Sequence, residues 1–245
     1  MQYFDMLSRL GEGSAHPGGF AATIEQFNKY KPSVDGTILE IGCGTGRTAC
    51  YLAEQGYRVV AVDIHPDILA KAKKRASTMG VEVDFLLADA HDLPFPDETF
   101  QAVLVESVTN FTQAQQSLSE YFRVLKSGGV FYDREMFVRH LAPAEIVTEL
   151  KSFFPMPSIM NRDEWSAALT ERGFTNVEFL EVSGLGDDKL GQQYEHPDDH
   201  QIIDEGSFLD FKLMECASRS SNIIIENKEH LEYGIIRAFK AEVNS

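Results

Sequence analysis

The feature that most constrains the fold is a short apolar segment followed at once by three alternating glycines. Residues 38–41 read Ile-Leu-Glu-Ile, which is typical of a buried strand. The glycines directly after it are Gly42, Gly44 and Gly46, and a helical pattern follows over 48–55. A strand, a glycine-rich turn and a helix in this order place a nucleotide-like ligand at a helix N-terminus. We therefore expect a ligand site at this turn.

The spacing of these glycines separates two kinds of nucleotide turn. A dinucleotide turn follows G-x-G-x-x-G, with an acidic residue roughly 20 residues further on. Here the spacing is G-x-G-x-G, and Arg47 stands where the third glycine would be, with a side chain that would obstruct close packing of the helix on the strand. The pattern disfavours a nicotinamide dinucleotide, and an NAD-dependent oxidoreductase stays open as the less favoured alternative.

Strand-like and helical segments alternate through the first half of the chain. One predicted helix continues to Leu125 and stops at Gly128. Alternation of this kind predicts an α/β fold with a doubly wound, mostly parallel seven-stranded sheet and helices on both faces. The predicted strands cover residues 38–41, 58–63, 81–89, 101–107, 130–136, 176–182 and 233–243.

Two segments lie outside the alternating core, which we place at residues 34–183 and 233–245. Residues 1–33 predict two short helices joined by a glycine-rich hinge, a layout typical of a lid and equally of a plain packing element. Residues 184–232 are too long for a simple connection. They open acidic and continue as a helical pattern over 207–220, so we interpret them as an insertion that caps the substrate side.

Charge and hydropathy exclude some function classes. The chain has 22 Lys and Arg against 38 Asp and Glu, a net charge of −16. Nucleic acids and anionic lipids both attract basic surfaces, so we expect neither nucleic acid nor membrane as a partner. A small-molecule substrate is the default. No apolar run reaches the roughly 18 residues of a membrane helix and no signal-peptide pattern is present, which predicts a cytoplasmic protein.

Cysteines and histidines form no metal or disulfide pattern. The cysteines are odd in number and lack paired spacing; they are Cys43, Cys50 and Cys216. His196 and His200 stand four apart around Asp198, a spacing that on a helix would share one face, as in metal sites. Their acidic and polar surroundings favour a solvated loop, so we predict neither a metal nor a disulfide.

The glycine turn does not stand alone, because an acidic residue follows at the end of each of the next three strands. Asp63 ends the second strand, Asp89 the third and Glu106 the fourth, while Glu40 precedes the first glycine. A Leu-Lys-Ser-Gly-Gly segment then precedes the fifth strand. Over about residues 36–136 the set resembles the motifs of class I S-adenosylmethionine-dependent methyltransferases.

The resemblance implies S-adenosylmethionine as cofactor, with S-adenosylhomocysteine as its product. The glycines would let the backbone approach the methionine part closely. Asp63 would accept hydrogen bonds from both ribose hydroxyls, and Asp89 from the adenine amino group. A carboxylate at Glu106 would favour the cationic end of the cofactor. The implied cofactor-binding residues are Glu40, Gly42, Cys43, Gly44, Asp63, Ile64, Asp89, Ala90 and Glu106.

Methyl transfer from a sulfonium is an in-line displacement. It needs alignment and exclusion of water, and a general base only where the acceptor must lose a proton. We therefore expect no obligatory catalytic dyad. Because doubly wound folds bind ligands at the carboxyl ends of their strands, the catalytic candidates are Glu106, Tyr132 and His140. Further candidates for the substrate side or the lid are Tyr3, Phe4, His16, Gly19, Asn110 and Arg134.

The favoured function is methyl transfer to a small-molecule acceptor. A protein acceptor stays open, as does a cofactor-binding module that has lost catalysis. A nucleic-acid methyltransferase is disfavoured by the charge and by the fourth strand, which ends in Glu-Ser-Val-Thr where many amino-group nucleic-acid methyltransferases carry Asn-Pro-Pro-Tyr. The patterns do not encode the acceptor atom or the oligomeric state.

Overall fold

The computed structural model describes residues 3–32, 35–184 and 196–242, and in these ranges one sheet of seven strands forms the centre of the molecule. The strands are β1 (Thr37–Ile41), β2 (Arg58–Asp63), β3 (Asp84–Leu87), β4 (Phe100–Glu106), β5 (Leu125–Val138), β6 (Phe174–Gly184) and β7 (Leu231–Lys240). Their order is β3-β2-β1-β4-β5-β7-β6. Strands β1 to β5 pair in parallel, and β7 runs antiparallel to β5 and β6. The predicted fold class is confirmed.

Helices cover both faces of the sheet. They are α1 (Tyr3–Leu10), α2 (Gly19–Lys29), α3 (Arg47–Glu54), α4 (Pro66–Met79), α5 (Ala114–Val124), α6 (Ala144–Phe153), α7 (Arg162–Glu171) and α8 (Phe211–Glu226). Successive strand side chains point to opposite faces. Val103 of β4 accordingly belongs to a core with α5 and α7, whereas its neighbour Leu104 belongs to a core with α2, α3 and α4. Burial of both faces explains why these strands are almost continuously apolar.

A third, smaller core lies beyond the carboxyl end of β5. Leu150 of α6 and Ile223 of α8 pack there against Met136 and Val138 of β5. Tyr3 of α1 packs against the same group. This cluster therefore fixes one end of α1 above the carboxyl edge of the sheet.

Several predicted boundaries are wrong, among them the start of β5, which lies at Leu125 and not at residue 130. Three of the differences have a reason in strand pairing or core packing. Strand β3 is shorter than residues 81–89. It is an edge strand, paired within the described ranges only with β2, and Asp89 already belongs to a turn closed by a bridge to Asp92. Helix α5 ends at Val124, since Leu125 is extended, fully buried and paired with Phe100 of β4. Helix α8 extends past residue 220 because its apolar Ile223 is buried in the third core.

The N-terminal helices contact the described part of the predicted insertion. The Arg9 guanidinium lies 2.7 Å from Asp210, and the Arg9 carbonyl accepts from the Asp204 amide at 2.8 Å. The boundary at residues 33–34 and the acidic stretch 185–195 lie outside the described residues. The roles of the two segments as lid and cap stay predictions. In the ranges that the structure describes, no helix combines the length and apolarity needed to span a membrane.

Candidate active site

A cavity of about 380 Å³ opens at the carboxyl edge of the sheet. The ends of β1, β2 and β4 form one side of it, and α1 with the hinge that follows forms the other. The strand order reverses between β1 and β4, which leaves a crevice in doubly wound sheets. The position of the cavity thus follows from the topology.

The predicted site residues divide into two groups. Those that line the cavity are Tyr3, Phe4, His16, Glu40, Gly42, Cys43, Gly44, Asp63, Ile64, Asp89, Ala90 and Glu106. Those outside its lining are Gly19, Asn110, Tyr132, Arg134 and His140. The residues implied for the cofactor come together in space, whereas those expected on the acceptor side are split.

The glycine turn has a backbone that only glycine adopts easily. Gly42, Gly44 and Gly46 have φ values of 70°, 54° and 76°, in the left-handed region. A Cβ on Gly42 would come within 2.3 Å of Val108, whereas a Cβ on Gly44 would meet nothing within 4 Å. Gly42 therefore permits close packing inside the protein, and Gly44 presents bare backbone to the open cavity.

The expected obstruction by the Arg47 side chain does not occur. Gly46 makes the close approach to α4, where a Cβ would meet Ala72 at 2.9 Å. The Arg47 side chain lies instead against α2, with its guanidinium carbon 4.0 Å from the centre of the Phe20 ring. Helix α3 can therefore pack closely without a glycine at position 47.

Asp63 links the end of β2 to the glycine turn. Its Oδ2 accepts from the Gly44 amide and its Oδ1 from the His65 amide, both at 2.9 Å. The His65 ring lies 3.3 Å from the same Oδ1, and this contact raises the pKa of the imidazole. Because a carboxylate offers about four acceptor positions, Asp63 can hold its own turn and still accept bonds from a ligand.

Asp89 is fixed in a similar way by the residue two positions on. Its Oδ1 accepts from the His91 amide at 2.9 Å and lies 2.6 Å from His91 Nδ1. The hydrogen bond from the amide is the main reason that the pKa of Asp89 is lowered, so the group is a carboxylate at neutral pH. It is available as an acceptor at the rim of the cavity.

Glu106 ends β4 with a side chain that is only 7% exposed. Its two oxygens accept from the hydroxyls of Thr23 at 2.6 Å and Thr48 at 2.8 Å. Burial opposes ionisation, but the Arg134 guanidinium, 3.9 Å away, and the two hydroxyls favour it, and the pKa of Glu106 is lowered. A shielded negative charge therefore stands at the edge of the cavity.

Glu40 has the opposite electrostatics. Burial, and then the nearby carboxylates of Glu106 and Asp63, raise the pKa of Glu40 well above its ordinary value. Its Oε2 finds no hydrogen-bond partner in the part of the chain that the structure describes. A buried carboxyl in this setting is stabilised in its ionised form by a cationic group. Glu40 is thus suited to a positively charged part of a ligand.

Sequence comparison assigns the chain to a family. The profile of the methyltransferase-domain family matches residues 39–133. A Bacillus subtilis protein named as the uncharacterized methyltransferase YodH is 37% identical over 181 residues, which is 74% of this chain and 78% of that protein. The chain is a class I S-adenosylmethionine-dependent methyltransferase. The demethylmenaquinone methyltransferase of Thermus thermophilus is 44% identical to this methyltransferase over 95 residues, 38% of this chain and 43% of that one.

Solved structures support the methyltransferase fold. Phosphoethanolamine N-methyltransferase 2 of Haemonchus contortus, in complex with phosphomonomethylethanolamine and S-adenosylhomocysteine, superposes with a TM-score of 0.76 at 20% sequence identity. The match covers 98% of this methyltransferase and 57% of that chain, so this chain spans little more than half of its length. At this identity the likeness concerns the fold.

Of the five residues outside the lining, three hold the scaffold. The Tyr132 hydroxyl donates to the Tyr30 carbonyl at 3.0 Å. Arg134 donates to the Ala22 carbonyl at 2.8 Å, and Asn110 to Glu135 at 2.7 Å. Their side chains are engaged in hydrogen bonds that hold α2 and the segment after β4 in place.

The other two residues face away from any such network. The His140 side chain is 74% exposed and lies 3.8 Å from Asp163. Gly19 is the first residue of α2, and a Cβ on it would meet nothing within 4 Å. His140 follows the end of β5 and Gly19 lies at the end of the hinge, yet neither residue reaches the cavity.

Sequence reasoning missed an aromatic wall and two hydroxyls. Phe111, just after β4, lines the cavity and stacks on Tyr3 with ring centres 5.9 Å apart. Thr48 and Thr23 hold Glu106. Phe111 could have been predicted as a cavity residue because it follows the carboxyl end of a strand. The sequence around Thr23, in contrast, gives no indication that Thr23 contacts a residue of β4.

Contrary to the expectation of a solvated loop, Asp198 lies under the glycine turn. Its side chain is 9% exposed and both oxygens bind Arg75, at 2.6 and 2.7 Å. Arg75 in turn donates to the Thr45 carbonyl at 2.9 Å. The expectation of a solvated loop is therefore wrong for Asp198, which pairs with a buried arginine, whereas the neighbouring His196 is exposed. Among the described residues no group of three potential ligands could hold a metal ion.

Proposed function

We propose that the cavity binds S-adenosylmethionine and that the enzyme moves its methyl group to a small molecule. The observation that carries the proposal is the convergence of Glu40, Asp63 and Asp89 on one cavity, beside a turn in which Gly44 faces open space. Two of these carboxyls already hold their own loops, so they are fixed before a ligand arrives.

Each carboxyl has a distinct role in this proposal. Asp63 accepts from the ribose hydroxyls with the acceptor positions that Gly44 and His65 leave free. Asp89 accepts from the adenine amino group. Glu40, whose Oε2 lacks a partner within the described chain, receives the ammonium group of the methionine part. The residues present therefore fit the cofactor.

The chain contributes alignment and exclusion of water. When bound, S-adenosylmethionine supplies a methyl group that its sulfonium has already activated. Tyr3, Phe4 and Phe111 form an aromatic wall on the cavity side opposite the sheet, which keeps water from the transfer. The carboxylate of Glu106 favours positive charge near it.

Several observations support a small acceptor. The cavity lies between α1 and the sheet, and its volume of about 380 Å³ is within the range of sites for small ligands. One compared protein is named for demethylmenaquinone, and another was solved in complex with phosphomonomethylethanolamine, and both compounds are small molecules. The net charge of −16 argues against nucleic acid as the acceptor. The cytoplasmic location stays a prediction.

The proposal is tested with cofactor labelled on its methyl carbon. The enzyme is incubated with a low-molecular-mass cell extract and, separately, with the protein fraction. We expect transfer of label to small molecules, and label confined to protein would contradict the acceptor class. Asp63→Ala should weaken adenosylhomocysteine binding in titration calorimetry, with Glu82→Ala, an exposed carboxyl elsewhere, as control. Unchanged affinity in Asp63→Ala would remove the ribose assignment.

A further inference from the structure

Glu12 stands where α1 ends and the N-terminal hinge begins. Gly11 before it has a left-handed φ of 65°, and the Gly11 amide donates to the Ser8 carbonyl at 3.0 Å. The Glu12 amide donates to the Leu7 carbonyl, also at 3.0 Å. These two bonds form a Schellman motif, which fixes the backbone at the end of a helix. Glu12 therefore has a defined place in the lining of the cavity.

Glu12 is also an acidic residue of the cavity that still lacks a partner. Among the described residues that line the cavity, five are acidic. Three of them are assigned to the cofactor in the proposed function, and Glu106 accepts from two hydroxyls. The fifth is Glu12, whose carboxylate makes no hydrogen bond or ion pair with the residues that the structure describes. Because a charge away from bulk water is usually paired, this carboxylate favours a cationic ligand group.

The Glu12 carboxylate acts on the aromatic wall of the cavity. Burial is the main cause that raises the pKa of the Tyr3 hydroxyl, and the charge of Glu12 raises it further. Tyr3 stacks on Phe111, and the Phe4 and Phe111 rings lie 5.0 Å apart, edge to face. Faces of aromatic rings attract ammonium groups. A carboxylate and aromatic rings in one cavity are thus complementary to an alkylammonium group.

Cationic side chains do not compete for this position. Among the lining residues that the structure describes, none is Lys or Arg, and each of the three histidines lies next to another acidic residue. The Arg47 guanidinium is close enough for Glu12 to raise its pKa, although burial lowers that pKa overall. It donates, however, to the His196 carbonyl at 2.6 Å and the Ser14 hydroxyl at 3.2 Å, and it lies 4.0 Å from Asp198. The charge of Glu12 is therefore available to a bound molecule.

We infer that Glu12 binds an ammonium group of the methyl acceptor, so that the enzyme selects amines with an apolar body. This role rests on the proposed function of the cavity. The ammonium group donates to the carboxylate, and the apolar body packs on the aromatic wall. An acceptor that carries a carboxylate or phosphate meets a like charge at Glu12 and is disfavoured. Glu12 is thus a residue that determines which acceptors bind.

Recognition is tested by calorimetry on the enzyme saturated with adenosylhomocysteine at pH 7. The probes share a phenyl ring on a short chain and differ in charge: phenethylamine is cationic, 2-phenylethanol is neutral and phenylacetate is anionic. We expect phenethylamine to bind roughly tenfold more tightly than 2-phenylethanol, and phenylacetate to bind more weakly than both. No measurable binding of phenethylamine, or binding of phenylacetate as tight as that of phenethylamine, would overturn the inference.

Variants assign the preference to one carboxylate. Glu12→Gln keeps the size of the side chain and removes its charge, so it should abolish the preference for the amine over the alcohol. The affinity for adenosylhomocysteine should stay within about twofold of wild type, because Glu12 has no role toward the cofactor. Glu145→Gln removes the same charge from an exposed position on α6 and should leave the preference unchanged. An intact preference in Glu12→Gln, or equal losses in the two variants, would show that Glu12 does not select the acceptor.

The natural acceptor is tested with the low-molecular-mass cell extract and methyl-labelled cofactor. After the remaining cofactor is removed, the labelled product should be retained on a cation exchanger at pH 7. Label found only in the neutral or anionic fraction would contradict an amine acceptor while leaving the proposed function intact. Failure of the wild-type enzyme to bind adenosylhomocysteine would instead remove the proposed function itself.

Discussion

Arg75 and Asp198 form a two-pronged ion pair, at 2.6 and 2.7 Å, although 123 residues separate them in the chain. Arg75 is 3% exposed in its side chain and also holds the Thr45 carbonyl of the glycine turn. The pair therefore joins the segment before α8 to the turn that faces the cavity. The burial of both groups makes its energetics testable.

Removal of one partner should destabilise the enzyme strongly. Asp198→Ala leaves the Arg75 charge buried without compensation, and we expect the free energy of unfolding in urea to fall by about 3 kcal/mol. Replacing both residues, Arg75→Met with Asp198→Leu, should cost less than Asp198→Ala alone. Glu25→Ala is the control, because its pair with Lys29 is 59% and 45% exposed and screened by water, so its loss should change the free energy of unfolding far less. Equal losses in Asp198→Ala and Glu25→Ala would show that the buried pair is energetically unimportant.

Alanine at Gly44 should separate folding from binding. Gly44 and Gly56 both have positive φ, 54° and 88°, and a Cβ on either meets nothing within 4 Å. Each substitution by Ala should therefore cost about 1–2 kcal/mol of stability through backbone strain alone. Only Gly44→Ala places a methyl group in the cavity and should weaken adenosylhomocysteine binding in calorimetry. Equal affinities in the two variants would contradict close approach of the cofactor to this backbone.

Glu40 should release a proton when the cofactor binds. Burial and then Glu106 and Asp63 raise its pKa, which favours the protonated carboxyl in the free enzyme, whereas an incoming ammonium group favours the ionised form. Calorimetric titration at one pH in buffers of different ionisation enthalpy measures the release. Glu40→Gln should abolish it and weaken binding, with unfolding free energy within about 1 kcal/mol of wild type because the variant is isosteric and neutral. Identical buffer dependence in both proteins would contradict the assignment.

Glu135 should make stability fall as pH rises. Burial raises its pKa from 4.5 to about 8, and the pKa of the neighbouring Asp133 is raised as well. The folded state keeps a proton that the unfolded state loses above pH 4.5, so stability is full below that value and declines as pH rises to about 8. Urea unfolding of wild type and Glu135→Gln between pH 5 and 8.5 should show a flatter dependence in the variant. Parallel curves would rule out Glu135 as the source.

The site residues that stand at the ends of strands can be predicted from the sequence. The apolar segments place β1 and β2, and the last one or two residues of each strand must then reach the carboxyl edge, which puts Glu40 and Asp63 at one crevice. The local pattern is enough here because parallel strands share one edge. The glycines that follow β1 likewise indicate a turn with positive φ angles, which the structure has.

Residues whose roles depend on distant partners could not be predicted in this way. Tyr132 ends in a bond to the Tyr30 carbonyl, and Asp198 is drawn to Arg75, across separations of 102 and 123 residues. Strand periodicity shows that Tyr132 and Arg134 share a face of β5, but the packing of α2 decides that this face is covered. Likewise, Leu125 favours a helix by its pattern and becomes extended because it pairs with Phe100.

The position of β7 between β5 and β6 has a consequence for synthesis on the ribosome. Strand β6 is made before β7, yet among the strands that the structure describes it pairs only with β7, so it has no place in the sheet until residues 231–240 have left the exit tunnel. Until then the long edge of β5 is open to other chains, and a nascent polypeptide stalled before that point exposes a strand that invites aggregation.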